Sequence, residues 1–184
     1  MAASLHVIPG WIELISLAFC IGVLVCRLWV LPRSAEVAYA HYEDRVARIW
    51  RSFSISIGIV ILCTTSNLFV RAVEMSGTPV LSVFPALPTV LFRTHFGGVW
   101  ITRIAAEILL LVSLKVFGRY RDSRVFLVFM LGLTVVVAAS ESASGHASDA
   151  GDFSIPEITD VLHLLAASVW GGGLLVLSSF VLPE

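Results

Sequence analysis

WIELISLAFCIGVLVCRLWVL, residues 11–31, holds one acid and one base in 21 positions. A bilayer's hydrocarbon core is about 30 Å thick and takes roughly 20 apolar residues in a helix, so this run is long enough to cross it. Four further runs qualify or come close: 53–73, 99–117, 125–140 and 158–182. Backbone exposed to lipid must satisfy its hydrogen bonds within its own segment, which favours helices. None of the runs shows the alternating pattern of barrel strands. The expectation is an all-α integral membrane protein: one domain over residues 1–184, a bundle of about five transmembrane helices in contact with lipid.

Composition excludes the alternatives. Mean hydropathy is +0.93 and 14% of residues are charged, against about 25% in soluble domains. The net charge of -1 says nothing about nucleic acid, and with no basic arm or aromatic-basic interleaving no nucleic-acid partner is expected. Cys20, Cys26 and Cys63 all fall inside apolar runs without a CxxC pair, so they read as buried, reduced packing residues. The opening MAASLHVIPG has no positive charge before the first run, which is therefore expected to be retained and not cleaved as a signal. The three prolines of SGTPVLSVFPALP (76–88) predict an irregular connection.

Basic residues orient the bundle. With five alternating spans, Arg27, Arg33, Arg45, Arg48, Arg51, Lys115, Arg119, Arg121 and Arg124 fall on one side. Arg71 and Arg93 lie near the other face, and Arg103 lies within a span. The basic side is expected to be cytoplasmic, with the N-terminus outside. His6, His95, His146 and His163 then belong to the outer side, and His41 to the inner.

The least apolar stretch is SGHASDAGDFSIPEITDVLH (144–163), with two histidines, four acids and no Lys or Arg. If the last helix starts near Pro156, a favourable first-turn residue, His163 is expected to lie buried about a turn and a half inside it. Asp160 precedes it by one turn on the same face, and the stripe continues through Ala167 to Trp170. In THFGGVWITRIAAE (94–107), His95 precedes the third run, and Trp100, Arg103 and Glu107 share a stripe. Arg103 and Glu107 are expected to pair at i,i+4, because either charge alone in lipid is costly.

Neutral imidazole is a good ligand for copper, zinc and iron, and carboxylates orient such ligands from behind. The candidate metal ligands are therefore His146, His163 and His95, supported by Asp160, Trp170, Arg103 and Glu107. Each has a plainer reading: solvation for His146, packing for Trp170, a structural clamp for Arg103 with Glu107. Glu13, Thr64 and Asn67 are further candidate lining groups. In AASVWGGGLL (166–175), Ala167 with Gly171 and Ser168 with Gly172 read as close-packing pairs. There is no Ser/His/Asp triad order and no phosphate-binding glycine loop, so catalysis is not expected.

Three stretches together resemble the CopD copper-resistance family: THFGGVWITRIAAEILLL, SESASGHAS and DVLHLLAASVWGGGLLVL, within residues 94–177. The resemblance implies a multi-pass protein of the bacterial inner membrane that handles copper, commonly with a small periplasmic copper-binding partner. The family's motif histidines correspond to His146 and His163, with Asp160, Trp170 and Arg103 at matching positions; His95 stands where the family varies. Family members often continue with further spans, which points to a short relative or a part of a larger chain or complex. Copper uptake or tolerance is the reading that follows. Two rivals stand beside it. One is a redox protein holding haem b between two imidazoles at matching depth. The other is an accessory subunit of a larger membrane complex.

Overall fold

A computed structural model describes residues 7–31, 42–77, 79, 82–145 and 151–181. The opening run forms α1 (Val7–Trp29). Helix α2 (Tyr42–Ser76) begins well ahead of the run 53–73. There Val46, Ile49, Trp50, Phe53, Ile57 and Val60 are buried at helical spacing while Arg48 and Arg51 stay exposed, so one apolar face carries the helix past the end of the hydropathy signal.

The proline-rich connection ends in a 3-10 turn, Phe84–Ala86, and a short helix α3 (Leu87–Arg93) with a proline in each first turn. Then come α4 (His95–Val116) and α5 (Arg124–Ala143). The last helix is one rod: α6 (Ile155–Ala167) runs through π-helical Ser168–Gly172 into α7 (Gly173–Val176) and π-helical Leu177–Val181. There is no strand among the described residues.

The protein is thus an all-α membrane protein. Four of its helices are long and apolar enough to cross a bilayer: α1, α2, α5 and the last rod. Helix α4 has 22 residues, about 33 Å, and its Arg103 and Glu107 are buried inside the bundle.

Helices α1, α2, α4 and α5 form a closed ring in which each packs on the next, and the last rod lies against α1 and α5. Lipid is as apolar as leucine, so close packing and polar contacts hold such bundles together. The tightest crossing is between α1 and the π-helical turn. A Cβ on Gly172 would lie 2.6 Å from the Ala18 carbonyl carbon and nearer still to its oxygen. One on Gly22 would strike the Gly172 backbone in turn. Of the two small-residue pairs, Ser168 with Gly172 makes this contact, while a Cβ on Gly171 meets open space. Gly172→Ala is therefore expected to destabilise the bundle by about 1–3 kcal/mol, seen as a lower unfolding temperature in detergent. Gly171→Ala should stay within about 0.5 kcal/mol of the parent. A stable Gly172→Ala protein would contradict the crossing.

The cysteines are free and buried, as expected. Cys20 and Cys26 sit in the main core beside Phe53 and Gly173. A second, smaller core (Leu68, Ala72, Val83, Val90) lies under α3. Thr94 joins α3 to α4: its backbone is extended and its hydroxyl oxygen accepts from Gly97 N at 3.0 Å.

Candidate functional site

The ring closes on a polar centre to which each of its four helices contributes. From α4, the Arg103 guanidinium forms ion pairs with Glu141 of α5 and, at 3.5 Å, with Glu13 of α1. It also donates to the Ser140 carbonyl at 2.5 Å and to Ser144 Oγ at 2.6 Å. From α2, Thr64 Oγ1 lies 3.0 Å from Glu13 Oε1 and 2.7 Å from Glu107 Oε1. Trp100 Nε1 donates to the Thr64 carbonyl at 2.9 Å, fixing α4 against α2. Glu13, Thr64, Arg103 and Glu107 are all buried.

The local pairing expected of Arg103 and Glu107 does not occur. No hydrogen bond or ion pair joins them; the partners of Arg103 come from α1 and α5. Spacing along one helix shows only local neighbours, and carboxylates on two other helices meet the guanidinium first. Glu141 was the member that sequence reasoning missed. Its signal is an acid directly after the apolar run 125–140, in the last turn of α5.

A cleft of about 490 Å³ opens between α1 and α6, over the end of α5. Trp11, Leu14, Ile15 and Ala18 form one wall, Asp160, His163, Leu164, Ala167 and Ser168 the other, and Glu141, Ser142 and Gly145 the base. Ser154 caps α6: its Oγ accepts from Glu157 N at 3.4 Å, while the Glu157 carboxylate accepts from Phe153 N at 2.6 Å. That cap places Asp160 and His163 in the first turns of the helix. Asp160 Oδ2 accepts from Ser142 Oγ at 2.5 Å, tying α6 to α5.

His163 is exposed on the cleft wall and not buried as the sequence suggested. Only a narrow stripe of the last rod is covered by the ring, and it includes Glu157, Ser168 and Gly172. The stripe Asp160, His163, Ala167 does line one cleft, but Trp170 leaves it and is 76% exposed. The π-helical turn that begins at Ser168 breaks the 3.6-residue register there. His95, the first residue of α4, lies 3.0 Å from Asp152 through Nε2, outside the cleft lining. His146, like His6 and His41, lies outside the described residues. Among the described residues no group of three or more His, Cys, Asp or Glu side chains could hold a metal ion. His163, Asp160 and Glu141 line the same cleft without forming such a group.

Fold and site together define a class: a helical membrane bundle with a charged centre and a histidine-bearing cleft at one end. A family model described as "Copper resistance protein D-like, N-terminal domain" matches residues 1–154. The chain belongs to that family, and the CopD resemblance read from its motifs is borne out. The match takes in α1 and α2 and ends just before α6.

The chain is also similar to the "Copper transport protein CutJ" of Bacillus subtilis (strain 168). The two are 32% identical over 95 residues, 47% of this chain. The aligned part is 16% of that relative's own length. No solved structure matches the chain.

Proposed function

We infer that the protein handles copper, a role that its membership of the family supports. We propose that the α1–α6 cleft is where copper is engaged, as substrate, from the outer side of the bacterial inner membrane. The observation that carries this reading is that His163 and Asp160 share the cleft with Glu141. His163 is the described ligand, and His146, in the connection between α5 and α6, is the second. His95, held by Asp152 at the same end of the bundle, is the third imidazole available.

Orientation follows from charge. Arg27, Lys115, Arg119, Arg121 and Arg124 lie at the end opposite the cleft, where Arg27 is clamped by Asp122 and, at 3.0 Å, by the Tyr42 hydroxyl. A basic end belongs in the cytoplasm, so the cleft faces outward. The acids at its mouth and base draw cations in.

Copper then passes inward or to a partner, and a small periplasmic copper-binding protein is the fitting donor. The chain itself performs no catalysis in this reading. Cells producing the protein should accumulate more copper from supplemented medium than cells with an empty vector. His163→Ala, made to the same level, should return them to the vector value. Equal copper in wild-type and vector cells, or undiminished copper with the variant, would overturn the proposal.

A further inference from the structure

Thr64 Oγ1 lies within hydrogen-bond distance of two carboxylate oxygens, Glu13 Oε1 at 3.0 Å and Glu107 Oε1 at 2.7 Å. A hydroxyl carries one proton and donates once, and an ionised carboxylate only accepts. Two full hydrogen bonds, rather than one proton shared weakly between two acceptors, require that one carboxyl carries a proton of its own and donates it to the Thr64 oxygen.

Counting charges gives the same answer. Among the described residues, Glu13, Glu107 and Glu141 face one buried cation, Arg103; Arg71 is half-exposed, pairs with Glu74 and reaches only the Ser144 carbonyl, and Arg27 lies at the far end of the bundle. A buried charge without a counter-charge is expensive. Glu13 and Glu141 each pair with Arg103, whereas Glu107 makes no ion pair among the described residues. Glu107 is wholly buried, and its Oε2 has no hydrogen-bond partner among the described residues.

We propose that Glu107, Thr64 and Glu13 form a proton-binding site at the centre of the bundle. Glu107 holds the proton and donates it to Thr64, and Thr64 donates its own to Glu13, which faces Arg103. The same three groups make a relay. When the Glu107 proton moves to Thr64 Oγ1, the Thr64 hydroxyl proton moves to Glu13 Oε1. The O–H bond on Glu107 is replaced by one on Glu13, and Thr64 ends as it began. The carboxylate charge shifts from Glu13 to Glu107, away from Arg103. Arg103 is also tied to Glu141 at the base of the cleft, so the place of the proton is felt there. This inference does not depend on which cation uses the cleft.

Infrared spectroscopy of the full chain in lipid bilayers at neutral pH tests it. The wild type should show a carboxylic-acid carbonyl band that shifts with carbon-13 glutamate labelling. Glu107→Gln should remove it, since the amide is a neutral isostere of the protonated acid. Thr64→Val, which takes away the hydrogen bond, should keep the band and move it to higher frequency. Absence of the band from the wild type would overturn the proposal. So would its persistence in Glu107→Gln, or its removal by Glu13→Gln with Glu107 intact. Should Glu107→Gln fail to fold, labelling of the wild type and the Thr64→Val shift still decide.

Discussion

Arg103→Ala is expected to destabilise the protein by about 3–5 kcal/mol, the cost of removing one side of a buried ion pair. The guanidinium bridges α1, α4 and α5 through Glu13, Glu141, Ser140 and Ser144. Without it, Glu13 is left buried with no counter-charge, and Glu141 at the base of the cleft adds a second unpaired carboxylate. The loss should appear as a sharply lower unfolding temperature and yield in detergent. Adding Glu13→Gln and Glu141→Gln to Arg103→Ala should restore much of it, because the uncompensated charges go too. A triple variant no better than the single one would show that Arg103 acts by packing and not by charge.

The helices were legible because the bilayer imposes a length, and an apolar run of that length has few other uses. The run 11–31 corresponds to α1, Val7–Trp29, which starts a turn earlier and stops just short of the run's end. Helix α2 was under-read because hydropathy registers where lipid ends, whereas its buried face from Val46 to Phe53 continues the helix beyond. The crossing at Gly22 and Gly172 was half visible: four-residue spacing marked both small pairs, but only the partner helix selects between them. The π-helical turn left no mark in the sequence, so Trp170 was placed on a stripe it does not keep.

The polar centre shows the same division. Arg103, Glu107, Thr64 and Glu13 each stood out as charged or hydroxyl groups in apolar runs, so membership was readable. Who pairs with whom was not, since Glu13 and Arg103 lie 90 positions apart. Spacing along one helix offered Glu107 in their place. For the cleft, the Asp160–His163 stripe was readable from one helix, but the opposite wall, from Trp11 to Ala18, belongs to the first.

The central claim, that this cleft binds copper through His163, is tested most directly by titrating the protein in lipid bilayers against a copper chelator of known affinity. The comparison is wild type with His163→Ala, each first shown to be folded by sizing and unfolding temperature. Imidazole donates a nitrogen lone pair that alanine cannot replace. Even changes behind a metal ligand typically cost 10–100-fold in affinity. Loss of His163 should therefore weaken copper binding by at least about tenfold. His146→Ala should do much the same, and the double variant little more, because neither imidazole forms the site alone. Wild-type copper affinity in His163→Ala would contradict the account.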